Sequence, residues 1–148
     1  MLTDKQCIRK WGLPVASVAW EGSLLVLWDI PTSINDAIPA LPNRLYCNRL
    51  LVKPLELAFR NLIARGHADE LKTWDGCFNI RYKRGDDSWS LHSWAVAIDV
   101  NAAWNPFGGK STLSEGFVKC FTDAGFDWGG YWKGKNEDGM HFQLRAII

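Results

Sequence analysis

The stretch SLHSWAVAIDV at residues 90–100 decides how this chain is expected to fold. Its second half alternates β-branched residues with alanine and an acid, and this period of two predicts a strand from Ala95 to Val100 whose branched side chains face the core. The opposite face carries small residues and ends in Asp99. His92 lies seven residues before Asp99, an odd offset that would put the two side chains on opposite faces of one strand. We therefore expect His92 to come from a turn that precedes the strand.

A second alternating segment follows at residues 140–145. It sets Met140, Phe142 and Leu144 against His141, Gln143 and Arg145. This pattern predicts another strand, with His141 directed away from the core. Gly139 favours a turn at the entrance to that strand, and Asp138 is expected to lie on the turn.

Two histidines and two acids in these segments make a candidate metal site. The chain contains three histidines in all, and His92 and His141 belong to the same two segments as Asp99 and Asp138. A catalytic zinc needs three protein ligands and a fourth position open to water, and two imidazoles with one carboxylate supply those three ligands. The remaining acid is then available to transfer protons. The third histidine, His67, follows a predicted helix end and is interpreted as a surface or hydrogen-bonded residue.

Two helices are predicted to pack against the sheet. From about Leu50 to Ala64, apolar residues recur at steps of three and four, and Gly66 stands where a helix usually stops. Ser114 is predicted to open the second helix, with Gly125 as its stop. The apolar residues are Leu51, Leu55, Ala58, Phe59, Leu62 and Ile63 in the first helix and Phe117, Val118 and Phe121 in the second.

The expected fold class is α+β, a small antiparallel sheet backed by two or three helices with the zinc site on its polar face. Residues 23–29 are predicted to add a strand, and residues 31–42, which contain three prolines, to form a surface loop. A length of 148 residues suits one core. We therefore expect residues 1–148 to form a single catalytic domain, and we expect a monomer.

The motif resembles that of the zinc D-alanyl-D-alanine carboxypeptidases (VanY-like), vancomycin-resistance dipeptidases and phage L-alanyl-D-glutamate endopeptidases. Their core pattern is Ser-x-His-x-x-Gly-x-Ala-x-Asp, followed near the C-terminus by an acid-x-x-His. The matching residues are Ser90, His92, Ala97, Asp99, Asp138 and His141, while Ala95 stands where the family usually has glycine. The flanking segments 74–81 and 125–130 look like the phage and prophage branch, so the resemblance covers roughly residues 41–144.

The resemblance implies a role for each residue of the site. His92, Asp99 and His141 would hold zinc, and the same α+β fold would carry them. Asp138 would be the general base, which takes a proton from water and passes it to the leaving amine. Glu137 is the competing candidate for the base.

The implied substrate is the stem peptide of bacterial peptidoglycan. The phage-like segments favour hydrolysis of the L-alanyl-D-glutamate bond by a phage or prophage endolysin. Carboxypeptidase or dipeptidase action on D-alanyl-D-alanine is the alternative. A rival from another class is a zinc-containing module that binds the cell wall without catalysis, but such a module would not need Asp138.

Three polar residues before the first ligand are candidate substrate contacts. The guanidinium of Arg81 could hold a substrate carboxylate in a bidentate fork or stabilise oxyanion charge. Arg84 is equally well explained as part of a solvated charged turn. Ser90 is expected to orient the ligand or to hydrogen-bond substrate, because both motif histidines are committed to zinc and leave no base for a serine nucleophile.

The composition excludes some partners. The formal charge is +1 and the cationic residues are scattered, so there is no basic stripe of the kind that binds a phosphate backbone, and we expect no nucleic-acid partner. Nine tryptophans supply aromatic area for the core and its rim, and one or two are expected to line a substrate groove.

The four cysteines are Cys7, Cys47, Cys77 and Cys120, and they show no Cys-x-x-Cys spacing. Buried free thiols are expected, with two disulfides as the alternative for a protein that acts outside the cytoplasm. The first ten residues are polar, and the apolar run at 24–28 is too short for a secretory core or a membrane span. We expect synthesis in the host bacterial cytoplasm, no membrane insertion, and action on the cell wall after release.

Overall fold

The computed structural model describes residues 1–147 and has an α+β architecture, as predicted. Its α-helices are α1 (Asp4–Trp11), α2 (Val18–Leu24), α3 (Thr32–Ala37), α4 (Val52–Ala64) and α5 (Glu115–Thr122). Its strands are β1 (Leu25–Asp29), β2 (Arg44–Asn48), β3 (Trp74–Gly76), β4 (Ala97–Val100), β5 (Phe126–Trp128) and β6 (His141–Leu144). Within the described range, no helix is long and apolar enough to cross a membrane.

The strands form two antiparallel sheets. The larger sheet has the order β3-β4-β6-β5, so that the two strands predicted from alternation, β4 and β6, are its central pair. Strands β1 and β2 form a separate two-stranded sheet. The side chains of β6 are all buried, and in β4 only Asp99 is partly exposed. Both faces of the central pair are therefore covered, which the simple alternation did not indicate.

The two predicted helices are confirmed with small changes at their ends. Helix α4 follows a 3₁₀ turn at Arg49–Leu51, and it buries Leu55, Ala58, Phe59 and Leu62. Ile63 was predicted on that face but is 37% exposed, so this assignment was wrong. The Ser114 side chain accepts a hydrogen bond from the backbone N–H of Phe117 and opens α5 as predicted.

Three boundaries differ from the sequence prediction. The strand expected from Ala95 begins at Ala97, because Ala95 adopts a left-handed conformation (φ 54°) that breaks the ladder. The strand expected at 23–29 begins at Leu25, since Ser23 and Leu24 complete α2. The predicted loop at 31–42 contains α3, which starts directly after Pro31, a residue compatible with a helix start.

The N-terminal helix α1 packs beside the 3₁₀ turn Leu91–Trp94, which carries His92. Its start is closed by a capping box between Thr3 and Gln6. The carboxylate of Asp4 accepts a hydrogen bond from the Trp89 backbone N–H at 3.0 Å. At the other end of the helix, the indole of Trp94 donates to the Gly12 carbonyl at 3.0 Å. Helix α1 is thus fixed at both ends to the segment around the predicted ligand.

All four cysteines are free and buried, as expected. Burial raises the pKa of Cys7 and of Cys47 to about 12, with Asp4 adding to the effect at Cys7. These thiols are therefore protonated near neutral pH and behave as small apolar core residues.

Candidate metal centre

Asp99 and His141 meet across the middle of the large sheet. They are direct partners in the antiparallel register of β4 and β6, so their side chains lie on the same face. Nδ1 of His141 is 3.5 Å from Oδ1 of Asp99. Sheet register alone therefore brings together two residues that are 42 positions apart in the chain.

His92 reaches the same point from the 3₁₀ turn Leu91–Trp94, as the odd offset from Asp99 predicted. Ser90 caps this turn, and its Oγ accepts a hydrogen bond from the His92 backbone N–H at 3.3 Å. The left-handed Ala95 then redirects the chain into β4. As a result, Nε2 of His92 lies 3.2 Å from Oδ2 of Asp99.

Both imidazoles make a hydrogen bond on the side away from Asp99. Nδ1 of His92 is 2.7 Å from the carbonyl oxygen of Cys77. Since a carbonyl can only accept, Nδ1 carries the proton and Nε2 is the bare nitrogen that faces Asp99. Nε2 of His141 is 2.9 Å from Oε1 of Gln143. Such outer hydrogen bonds are the usual supports of metal-binding histidines.

The three side chains fit a zinc ion. One ligand atom from each of His92, Asp99 and His141 can be chosen so that all lie within 4.8 Å of one another. Nε2 of His92 and Oδ1 of Asp99 are buried and have no hydrogen-bond partner within residues 1–147. Buried polar atoms without partners are costly, and a cation bound among them removes that cost. Imidazole and carboxylate donors suit zinc.

The metal-free site is an ion pair. Burial alone would raise the pKa of Asp99, but the two neighbouring imidazoles of His141 and His92 outweigh burial and lower the pKa. Burial alone would likewise lower the pKa of His141, but the negatively charged carboxylate of Asp99 beside it raises the pKa. A proton on His141 therefore compensates the charge of Asp99 where a metal cation would otherwise do so.

Asp138 lies beside these three residues without belonging to the ligand group. It is the first residue of the turn into β6, where it was predicted to lie, because its carbonyl oxygen accepts a hydrogen bond from the His141 N–H at 3.1 Å. Its Oδ1 is buried and has no hydrogen-bond partner in the described part of the chain. Burial raises the pKa of Asp138, the charge of Asp99 raises it further, and His141 opposes the shift.

Glu137, the competing candidate for the base, is engaged elsewhere. Its Oε2 accepts a hydrogen bond from the Ser111 backbone N–H at 3.2 Å. Its carbonyl oxygen accepts another from Gly108 at 2.7 Å. Glu137 thus anchors the loop that contains Gly108 and Ser111, which favours Asp138 as the free carboxylate.

Gly129 is a residue of the site whose importance the sequence did not reveal. The segment 125–130 was noted only for its resemblance to phage enzymes. A Cβ at Gly129 would lie 3.2 Å from Cβ of His141, 3.1 Å from Cβ of Asp138 and 2.4 Å from the Asp138 carbonyl oxygen. The absence of a side chain at Gly129 therefore lets Asp138, the general-base candidate, and His141, a candidate ligand, lie close to the chain just after β5.

The three candidate substrate contacts have different surroundings. Ser90 is buried and its hydroxyl oxygen serves the His92 turn, which fits the orienting role. The backbone of Arg81 is fixed to that turn, because its carbonyl accepts hydrogen bonds from the Ser90 N–H at 3.0 Å and the Ser93 hydroxyl at 3.1 Å. Arg84 is exposed, with its guanidinium carbon 5.4 Å from the centre of the Phe107 ring.

Two further residues complete the description of the site. Trp132 is half-buried, and its ring lies 5.3 Å from that of His141, where it could form part of a substrate groove. His67 is paired with Glu70 at 2.5 Å and is not part of the ligand group, in agreement with its interpretation as a hydrogen-bonded residue.

Comparison with known families supports the motif. Residues 84–144 match the family model described as D-alanyl-D-alanine carboxypeptidase. This segment contains the His92 turn, β4, Asp138 and the candidate ligand His141, so the predicted resemblance to VanY-like zinc peptidases is confirmed over that range. No curated protein and no solved structure gives a match to the chain.

Proposed function

We propose that this protein is a zinc peptidase that hydrolyses the stem peptide of bacterial peptidoglycan at the L-alanyl-D-glutamate bond. The observation that carries the proposal is the convergence of His92 Nε2, the Asp99 carboxylate and His141 Nδ1 on one buried point. The match of residues 84–144 to a D-alanyl-D-alanine carboxypeptidase family supports peptidase chemistry on the cell wall.

His92, Asp99 and His141 would hold the ion. When bound there, zinc supplies a Lewis acid that polarises a carbonyl and lowers the pKa of water. Asp99 would contribute one negative charge to the ligand set, and the two imidazoles would be neutral, so the ion with its three ligands would carry a net positive charge. That charge favours the oxyanion that develops during peptide hydrolysis.

Asp138 would transfer the protons. Its carboxylate oxygen Oδ1 is buried and unpartnered, so it can accept a proton from the attacking water without breaking an existing hydrogen bond. The protonated carboxyl then donates to the amine that leaves. Its raised pKa favours this exchange, because an acid with a pKa nearer neutrality both takes and returns a proton more readily.

Arg81 would bind a carboxylate of the substrate. Its backbone is fixed to the turn that carries His92, which gives the side chain a defined origin beside the site. Stem peptides carry free carboxylates, and a guanidinium recognises such a group through two parallel hydrogen bonds.

The scissile bond is tested by mass spectrometry of purified peptidoglycan after incubation with the zinc-loaded protein. The expected products are stem peptides released between L-alanine and D-glutamate. His141→Ala is the matched control and should leave the wall polymer intact. Release of terminal D-alanine with intact L-alanyl-D-glutamate bonds would reassign the protein to the carboxypeptidases. Binding to the polymer without any turnover would favour a non-catalytic wall-binding module.

The proposed biological setting is lysis by a phage or prophage. The segments 74–81 and 125–130 support this setting through their resemblance to phage enzymes. In that setting the chain is made in the host cytoplasm and reaches the wall after release. Expression in a bacterial host with and without a membrane-permeabilising protein tests it, because lysis is expected only when both are present.

A further inference from the structure

Gln143 lies directly behind the ligand His141. The two residues are separated by two positions in β6, so their side chains project from the same face of the sheet. Gln143 is 3% exposed, and its side-chain amide is hydrogen-bonded on both sides. Oε1 is 2.9 Å from Nε2 of His141, and Nε2 of Gln143 is 3.4 Å from the Leu2 carbonyl oxygen.

The Leu2 carbonyl determines which way this amide points. A backbone carbonyl can only accept, so the NH₂ group of Gln143 must face Leu2. Oε1 then faces His141, and an amide oxygen can also only accept. Nε2 of His141 must therefore carry a proton. In the neutral imidazole this leaves the lone pair of Nδ1 directed at Asp99, 3.5 Å away.

We propose that Gln143 is a positioning residue that fixes the tautomer of His141, and that the backbone of Leu2 fixes the orientation of Gln143. This inference rests on the proposed zinc site. If the amide were reversed, its NH₂ group would face Nε2 of His141 and favour the tautomer with a proton on Nδ1. That tautomer has no lone pair on the atom that faces Asp99, so it cannot bind the ion there.

Leu2 is held in place by the packing of the N-terminal segment. Leu2 is 4% exposed and belongs to the core. Helix α1 follows it and is fixed to the His92 segment through Asp4 and through the Gly12 carbonyl. The family model matches residues 84–144. The N-terminal segment lies outside that range, yet its Leu2 carbonyl completes the outer hydrogen bonds of the metal site.

Three variants test the proposal, with the zinc dissociation constant measured by competition with a chromophoric chelator. Gln143→Met keeps the approximate shape but removes the acceptor, and should weaken zinc binding by roughly 10–100-fold. Gln143→Glu keeps an acceptor for His141 and should bind zinc within a few-fold of the unmodified protein. Asn61→Leu is the matched control, because Asn61 also donates to a backbone carbonyl, that of Cys120 at 3.0 Å. It should leave zinc binding unchanged.

The order of affinities separates positioning from mere structural support. If Gln143 had only a structural role, the buried carboxylate of Gln143→Glu should weaken zinc binding at least as much as Gln143→Met does. Restoration of zinc binding by Gln143→Glu is expected only if the acceptor toward His141 matters. Equal zinc affinity in Gln143→Met and the unmodified protein would overturn the proposal, as would weak binding in both Gln143 variants.

A second measurement needs no metal. Long-range ¹⁵N–¹H NMR of the metal-free protein at alkaline pH reports which ring nitrogen of His141 carries the proton. We expect Nε2–H in the unmodified protein and a mixture of tautomers in Gln143→Met. A dominant Nδ1–H signal in the unmodified protein would refute the role of Gln143. Failure of the unmodified protein to take up zinc would instead refute the proposed function, while the tautomer result would still stand by itself.

Discussion

Gly129 and Asp138 are joined backbone to backbone at the edge of the metal site. The carbonyl oxygen of Gly129 accepts a hydrogen bond from the Asp138 N–H at 2.9 Å. A Cβ at Gly129 would clash with the Asp138 carbonyl oxygen. That oxygen belongs to the backbone, so it can move only if the turn that leads to His141 moves with it. The position of the general-base candidate therefore depends on a residue without a side chain.

Gly129→Ala should weaken both the fold and the metal site. The added methyl group forces the Asp138 turn away from β5, and overpacking of this kind typically costs about 1–3 kcal/mol. We expect a lower free energy of unfolding and a weaker zinc affinity, measured by denaturant titration and by chelator competition. Gly22→Ala is the control, because nothing lies within 4 Å of a Cβ at Gly22. Unchanged zinc affinity in Gly129→Ala would show that the turn can adjust.

Asp138→Asn should keep zinc and the fold but lose most activity. The amide preserves the shape of the side chain and removes the proton acceptor, and loss of a general base typically costs about 10²–10⁴ in rate. Turnover and bound zinc are measured in parallel for Glu137→Gln. That variant should remain active, because Glu137 anchors a loop. An active Asp138→Asn beside an inactive, zinc-loaded Glu137→Gln would transfer the role of base to Glu137.

Arg81→Ala should lower kcat/KM while leaving the zinc content unchanged, since its proposed partner is the substrate. Loss of a hydrogen bond to a charged group typically costs about 1.5–3 kcal/mol, or roughly 10–100-fold. Arg84→Ala is the matched control and should have a smaller effect, because Arg84 is exposed and stacks on Phe107. The reverse order of effects would assign the carboxylate contact to Arg84.

Ala95→Gly should be neutral or should stabilise the protein by up to about 1 kcal/mol. The left-handed conformation costs a non-glycine residue about 1–2 kcal/mol, and glycine avoids this cost. Loss of the buried methyl group destabilises the variant by about 0.8 kcal/mol and so offsets part of that benefit. Ala97→Gly, within β4, lacks the conformational benefit and should be clearly destabilising. Chemical denaturation of both variants provides the comparison. If Ala95→Gly is as destabilising as Ala97→Gly, Ala95 is not strained.

The metal-free and zinc-bound proteins should respond to pH in opposite directions. In the metal-free protein the pKa of His141 is raised from 6.5 by Asp99, against the effect of burial. The stability from its proton is therefore complete below pH 6.5 and is lost as the pH rises through the raised pKa. Zinc requires a neutral imidazole, so the affinity of the protein for zinc should increase as the pH rises through the pKa of His141.

Thermal unfolding with and without zinc between about pH 5.5 and 8.5 tests this opposition. The pKa of Asp99 is lowered by its histidine partners, although burial opposes the shift, so the carboxylate stays ionised throughout that range. The increase in Tm that zinc produces should therefore grow with pH. A zinc effect that is constant across this range would contradict the ion pair between Asp99 and His141.

The sequence predicted the parts of the site that depend on periodicity. Alternation located β4 and β6, and their register then placed Asp99 opposite His141. The odd offset of His92 also correctly required a turn. The two strands and the turn follow from local geometry, so a single sequence is enough to infer them, whereas the register of β4 and β6 is seen only in the structure.

The remaining features depend on packing between distant segments. The capping box of Thr3 and Gln6 could have indicated α1, but nothing local showed that α1 packs beside the His92 turn. The requirement for glycine at position 129 arises from atoms of Asp138 and His141 in another segment. The glycine that the family usually has at the position of Ala95 indicated a left-handed conformation there. The alternating pattern nevertheless led to a predicted strand that included Ala95.

The central place of β6 has a consequence for the synthesis of the protein. This strand follows all the others along the chain, yet it lies between β4 and β5. A ribosome therefore releases β4 and β5 before the strand that joins them exists. Pairings across such sequence distances form slowly. The nascent chain therefore cannot bring its three candidate ligands together until β6 has emerged from the ribosome.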